Sequence, residues 1–166
     1  MKTSIFEIRL RYRKVRFYTV HVENSSLPEF NDFVRRMTVK CPHKLGELLK
    51  FIEEVGENYG AEERLFRHER NSHALPPHYV DLGDDDDEEG SRYGLRLYCC
   101  RFTPEIVFLY NGDLKTAQYP DLCPNVAKYF KFALRATKAI DEAMRDGYIQ
   151  FDGFDVLIDE DFVLEI

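Results

Sequence analysis

The spacing of apolar residues changes along the chain, and it restricts the fold more than any other feature of the sequence. In residues 4–22 apolar and polar residues alternate, which is typical of strands. We expect two strands there, joined in a hairpin that turns near residues 13–14. In residues 27–37 and 45–59 the apolar residues recur at the three- and four-residue steps of a helix. This part of the chain is therefore predicted to form a hairpin followed by two helices.

The rest of the chain contains the same two periods, separated by turn residues. They predict a short strand at residues 64–68, a long loop at 69–93 and a strand hairpin at 94–110. A turn at 111–113, a long helix at 124–146 and a C-terminal hairpin at 148–158 complete the chain. A capping box with Ser26 and Glu29 is expected at the start of the first helix. The predicted loop is unusually long for a compact domain, so we expect it to be functional or mobile.

Length and composition limit the class of protein. The chain has 166 residues, 44% of them hydrophobic, which is enough for one domain with its own core. No apolar run approaches the roughly 20 residues of a membrane helix. Glu7 and Arg9 interrupt the apolar core that an N-terminal signal peptide needs. We expect a single domain over residues 1–166 that acts in the cytoplasm, and not a membrane, secreted or disordered protein.

The acidic residues are unevenly distributed. The chain has 23 Lys and Arg against 30 Asp and Glu, a net charge of −7. Residues 146–166 contain seven acids and no base, so they account for the whole net charge. A negative chain is a poor non-specific binder of nucleic acid, although a basic face on the remaining residues is compatible with the composition. The run of six acids at residues 84–89 is interpreted as a solvated loop, with cation binding or screening of a basic face as the alternative.

Neither the cysteines nor the histidines predict a metal site. The four cysteines lack the paired spacing of zinc ligands, and all are interpreted as reduced thiols: Cys41, Cys99, Cys100 and Cys123. Three histidines recur every five residues, at His68, His73 and His78. Ligands on one helix face would be three or four residues apart, so we interpret these as loop histidines. The sequence therefore predicts neither a metal nor a cofactor.

Basic and aromatic residues on the predicted central strands remain as candidates for chemistry. Arg96 and Tyr98 share one face of a strand, and Lys115 and Tyr119 follow the next strand. Cleavage of RNA through its 2′-hydroxyl needs a base, an acid, and a cation for the charge that builds on the phosphate. Arg and Lys supply the cation directly. From the residues alone, the alternative that Arg96 and Lys115 are ordinary surface charges stays open.

A family resemblance favours the chemical interpretation. Residues 94–99 (Gly-Leu-Arg-Leu-Tyr-Cys), 106–110 (Ile-Val-Phe-Leu-Tyr) and 114–118 (Leu-Lys-Thr-Ala-Gln) resemble the centre of the RelE/HigB-type toxin family, nearest to its phage-derived branch. In that family a strand with Arg and an aromatic residue precedes an apolar strand and a Lys-Thr-Gln-like segment. The order of two helices, a short strand and a core sheet also agrees. The resemblance covers residues 27–145.

The resemblance implies the fold. It predicts an α+β structure in which a curved antiparallel sheet packs against helices, with one concave face open to ribosome-bound mRNA. Relative to the family-like core at residues 27–145, residues 1–24 would be an extra N-terminal hairpin. Residues 146–166 would be an acidic C-terminal hairpin and tail.

The resemblance also implies a site and a function. Matched by position, the catalytic residues would be Arg67, Arg96 and Lys115, with Tyr98 and Tyr119 as weaker matches. The chain would be the toxin of a toxin–antitoxin pair, a ribosome-dependent mRNA endoribonuclease partnered by a small antitoxin protein. The family's toxins are usually small and basic, whereas this chain is acidic and has added hairpins. A second hypothesis is therefore a non-catalytic protein of this fold that binds a protein partner.

Overall fold

The computed structural model describes residues 1–80 and 94–166. Its helices are α1 (Glu29–Lys40), α2 (Pro42–Glu54) and α3 (Ala127–Arg145), with a π-helical turn at Val55–Tyr59 and 3₁₀ turns at Glu63–Leu65 and Pro120–Leu122. Its strands are β1 (Lys2–Arg11), β2 (Arg16–Val22), β3 (Arg67–Glu69), β4 (Ser72–Leu75), β5 (Gly94–Arg101), β6 (Ile106–Lys115), β7 (Ile149–Asp152), β8 (Asp155–Ile158) and β9 (Leu164–Glu165). The acidic run at residues 84–89 lies outside the described residues.

Seven strands form one sheet in the order β3-β4-β5-β6-β2-β1-β9. All neighbouring strands are antiparallel except β2 and β6, which are parallel, with Phe17 opposite Val107. The predicted N-terminal hairpin is thus part of the main sheet, and β9 extends that sheet by pairing Leu164 with Thr3. Strands β7 and β8 form a separate hairpin. The chain is therefore a mixed α+β structure with a mostly antiparallel sheet.

Helices cover both faces of the main sheet. α1 and α2 pack on one face through Phe33, Met37 and Leu48. α3 and the β7–β8 hairpin pack on the opposite face through Phe130 and Ile149, among others. Neighbouring residues of β5 point to opposite faces, and the strand is buried throughout its length except at its two ends. Within the described residues, both faces of β5 are therefore covered over most of its length.

Two predictions about turns and loops are wrong. Residues 111–113, predicted as a turn, lie inside β6 because their polar side chains have partners on α1: Asn111 donates to Glu29 at 2.9 Å and Asp113 accepts from Arg36 at 2.9 Å. The predicted loop at residues 69–93 contains β4, which forms a hairpin with β3. The turn between β3 and β4 places Arg70 at a φ of 57°. A glycine, which commonly adopts a positive φ, would have indicated this turn in the sequence, but none is present there.

The predicted capping box does not form. α1 begins at Glu29 with Pro28 at the N-cap, and no side chain of the helix caps it. Instead, the Thr19 hydroxyl on β2 accepts a hydrogen bond from the Phe30 amide at 3.1 Å. The Phe30 amide therefore has a hydrogen-bond acceptor on β2, and not on a neighbouring capping residue of the helix.

Candidate anion-binding site

Two of the candidate residues lie in one row across the sheet. Arg67 on β3 is opposite Ala74 on β4, and Ala74 is opposite Tyr98 on β5. Arg96 precedes Tyr98 by two residues and Glu69 follows Arg67 by two, so these side chains start from the same face. Ala74 is small, which leaves room for the long side chains on both sides. We call the following residues the arginine cluster: Arg67, Glu69, His78, Arg96, Tyr98 and Lys115.

Arg67 is buried, with 4% of its surface exposed. Its Nε donates to the Pro76 carbonyl oxygen at 2.5 Å, and its Nη1 lies 2.8 Å from His78 Nδ1. Its Nη2 is buried and has no hydrogen-bond partner among residues 1–80 and 94–166. Buried guanidinium donors are normally satisfied, so Nη2 is a donor available to an anion.

Tyr98 supplies a second buried donor. Its ring is fully buried and packs edge-on against Phe130 of α3, with centroids 5.7 Å apart. Its hydroxyl has no hydrogen-bond partner in the described part of the chain. Burial, assisted by the charge of Glu69, raises the pKa of Tyr98, so the hydroxyl keeps its proton and acts as a donor.

The three cations of the cluster are close enough to affect one another. Burial and the charge of Arg96 lower the pKa of Arg67 to about 10. Burial lowers the pKa of Arg96, which is 2% exposed and donates from Nη1 to the Leu95 carbonyl oxygen at 3.0 Å. Burial and the charge of Arg96 also lower the pKa of Lys115, at the end of β6. Positive charges held this close together favour a bound anion.

The cluster also contains two proton acceptors. Burial raises the pKa of Glu69, although the charges of Lys115 and Arg67 oppose this effect. Burial lowers the pKa of His78, and the charge of Arg67 lowers it further, so its imidazole is neutral near pH 7. Glu69 therefore supplies a carboxylate of increased basicity on the same face of β3 as Arg67.

Cys123 lies beside the cluster, shortly before α3. The four cysteines are free thiols, as predicted. Burial raises the pKa of the Cys123 thiol, but hydrogen bonds from Thr116 and from the backbone at Asn125 and Ala117 outweigh it and lower the pKa to about 7. The sulfur lies 3.3 Å from the Thr116 amide nitrogen. Thr116 directly follows Lys115, so this contact places the sulfur near the end of β6.

The structure brings four of the five predicted site residues together and leaves one outside. Tyr119 is 57% exposed in the segment after β6, and its side chain forms no hydrogen bond or ring contact with the described residues. The alternative that Arg96 is an ordinary surface charge is wrong, because its side chain is buried. Sequence reasoning missed Glu69 and His78. A strand extended by one residue beyond His68 would have placed Glu69 on the face of Arg67.

His73, interpreted as a loop histidine, lies on a strand instead, whereas His68 lies at the end of the strand predicted at residues 64–68. His68 on β3 is opposite His73 on β4, with ring centroids 5.2 Å apart. No group of three or more His, Cys, Asp or Glu side chains in residues 1–80 and 94–166 is arranged to hold a metal ion. Nor is any helix in these ranges long and apolar enough to cross a membrane.

Comparison with protein-family models, with curated proteins and with solved structures finds no match to this chain. The arginine cluster is therefore the feature of this chain that points to a function.

Proposed function

We propose that the arginine cluster binds a phosphodiester of ribosome-bound mRNA and supports its cleavage, as the cytoplasmic toxin of a toxin–antitoxin pair. The observation that carries the proposal is the pairing of β3, β4 and β5, which puts Arg67 and Tyr98 in one row of the sheet. Each supplies a buried donor without a partner in the described residues, Arg67 Nη2 and the Tyr98 hydroxyl. An unpaired buried donor costs about 1–3 kcal/mol. A phosphate group accepts from both donors and neutralises the repulsion among the cations, so the bound state is favoured.

The cluster contains the groups that cleavage through the 2′-hydroxyl needs. The cations and the Tyr98 hydroxyl stabilise the charge that builds on the phosphate oxygens. Glu69, whose pKa is raised, takes the 2′ proton, and Lys115, whose pKa is lowered, protonates the leaving 5′ oxygen. The 2′ oxygen bonds to phosphorus as the 5′ oxygen leaves, which gives a 2′,3′-cyclic phosphate and a free 5′-hydroxyl.

The test is induced expression in a bacterial host, with growth followed and mRNA ends mapped. We expect growth arrest and new mRNA ends with the wild-type chain. The Lys115→Gln and Arg96→Met variants should abolish both effects. Lys138→Gln, which removes a 71% exposed lysine on α3, is the matched control and should behave as wild type.

Thermal unfolding of each purified variant separates loss of the site from loss of the fold. Arg96 is buried, so loss of activity in Arg96→Met is evidence about the site only if that variant unfolds cooperatively. Lys115 is partly exposed, and the Lys115→Gln variant should fold. Unimpaired growth and intact mRNA with the wild-type chain would overturn the proposal of an active toxin.

A second candidate function is a non-catalytic protein of this fold that binds a protein partner. It is favoured by the N-terminal hairpin, where Phe6 is 47% and Leu10 is 55% exposed. Both line a groove of about 580 Å³ between β1 and α1. Exposed apolar side chains beside a groove are typical of interaction sites. In this case Lys115→Gln would have no effect on partner binding, whereas Leu10→Ser would weaken it.

A further inference from the structure

A second surface lies on the C-terminal segment and uses no residue of the arginine cluster. Residues 146–166 contain seven acids and no base. Three of them are consecutive and exposed in the connection between β8 and β9: Asp159, Glu160 and Asp161. Among residues 1–80 and 94–166, no Lys or Arg forms an ion pair with these three carboxylates. Their negative charge is therefore not neutralised within the described chain.

A groove of about 360 Å³ opens beside these acids. Ile5, Ile158, Phe162 and Val163 contribute apolar side chains to its lining, together with Asp159 and Glu160. Ile158 is 42% and Val163 is 50% exposed, so apolar surface faces solvent next to the carboxylates. Because water solvates that apolar surface poorly, burial against a partner would be favourable.

The groove is built on ordered backbone. β9 pairs with β1, and Leu164 is buried at that pairing. The ring of Phe162 stacks on Tyr148 with centroids 4.6 Å apart, and the Asp159 amide donates to the Tyr148 carbonyl oxygen at 3.0 Å. The backbone of the groove and the Phe162 ring are therefore held in place before a partner arrives, which reduces the entropic cost of binding.

We propose that this acidic groove binds a cationic, apolar segment of a protein partner. Apolar side chains of the segment would contact Ile158 and Val163, and its Lys or Arg side chains would pair with Asp159, Glu160 and Asp161. Charge complementarity identifies the occupant, because unpaired carboxylates repel nucleic acid and anionic membrane surfaces. The apolar lining requires a ligand with apolar side chains in addition to positive charge. The proposal is independent of RNA cleavage.

The test uses fluorescence polarisation with the full chain and a labelled ten-residue peptide of alternating Lys and Leu. Matched peptides of alternating Lys and Ser, and of alternating Glu and Leu, separate charge from apolar contact. We expect the Lys-Leu peptide to bind at least about tenfold more tightly than either matched peptide. Raising the salt concentration should weaken the binding.

Variants locate the binding. Asp159→Asn/Glu160→Gln/Asp161→Asn should weaken it about tenfold, and Val163→Ser about fivefold, because the first removes three ion pairs and the second an apolar contact. The matched control Glu53→Gln/Glu54→Gln/Glu57→Gln removes three acids elsewhere and should change the affinity less than about twofold.

Several results would overturn the proposal. They are the absence of binding, equal weakening by the control variant, and equally tight binding of the Lys-Ser peptide. Sedimentation of the chain alone could give a further contrary result. If the wild-type chain is a dimer and only the Asp159→Asn/Glu160→Gln/Asp161→Asn variant is a monomer, the occupant of the groove is a second copy of the chain.

Discussion

Replacing Tyr98 by phenylalanine is expected to stabilise the protein while weakening its anion site. The Tyr98 hydroxyl is buried and has no hydrogen-bond partner in the described residues, so the folded chain loses the hydration of that group without compensation. Phenylalanine keeps the ring and its edge-on contact with Phe130 at 5.7 Å. The substitution therefore removes the polar atom and leaves the apolar packing intact.

The magnitude follows from the cost of an unpaired buried donor, about 1–3 kcal/mol. We expect Tyr98→Phe to raise the free energy of unfolding by about 1–2 kcal/mol. For a domain of this size that corresponds to an increase in Tm of about 2–8 °C. Most substitutions of buried residues lower stability, so an increase is a specific outcome.

Tyr110→Phe is the matched control. Tyr110 is also fully buried, but its hydroxyl lies 3.1 Å from the Thr137 hydroxyl and shares a hydrogen bond with it. Removing that bond should lower the free energy of unfolding by about 1 kcal/mol. The two tyrosine variants are thus expected to change stability in opposite directions.

The assay is urea unfolding followed by circular dichroism, with and without inorganic phosphate. Phosphate that binds only the folded state raises the wild-type free energy of unfolding, and this increase should be smaller in Tyr98→Phe and unchanged in Tyr110→Phe. A fall in stability of Tyr98→Phe equal to that of Tyr110→Phe would refute the reasoning. It would mean that the Tyr98 hydroxyl is satisfied in the folded chain.

Three further predictions concern the rest of the fold. Gly112→Ala should lower the free energy of unfolding in urea by about 2–4 kcal/mol, because a Cβ there would lie 1.8 Å from a carbonyl oxygen of β5. Its control, Gly46→Ala, has open space around the added Cβ and should be neutral or slightly stabilising. Arg36→Gln should cost about 1–3 kcal/mol, because it removes charge-assisted hydrogen bonds to the buried Asp113, which keeps Lys40 as a second partner. Arg35→Gln, whose side chain is 62% exposed, should cost less than about 0.5 kcal/mol, and equal effects would contradict this assignment. Burial lowers the pKa of His73 to about 4 from 6.5, so the unfolded chain binds more protons and stability should fall as the pH drops through this window; a His73→Gln variant with the same pH slope in acid titrations would exclude this role.

The hairpins and helices were predictable wherever apolar periodicity was strong. The N-terminal hairpin, the two consecutive helices, the β5–β6 hairpin, the long helix and the C-terminal hairpin all appear near their predicted positions. The errors occur where tertiary contacts replace local signals. Asn111 is a residue type that is common in turns, but its hydrogen-bond partners on α1 keep it within β6. The Thr19 hydroxyl, and not a capping box, serves the amide of Phe30.

The candidate site was only partly predictable. Arg96 and Tyr98 share a face by the period of a strand, and this follows from sequence alone. Arg67 lies in the same row as Tyr98 because β3 pairs with β4 and β4 pairs with β5. No local sequence pattern specifies that pairing. Glu69 joined the site because β3 continues through it, one residue beyond the predicted strand.

Most of the local elements follow from the sequence, because the period of apolar residues selects helix or strand. The sequence also determines where the negative charge lies. The parallel pairing of β2 with β6 and the covering of both sheet faces by helices depend on tertiary contacts. So does the burial of two donors, Arg67 Nη2 and the Tyr98 hydroxyl, that have no partner in the described residues. The physical reason is that strand pairing and burial depend on contacts between residues far apart in the chain. The free energy of those contacts is not encoded in any single local segment.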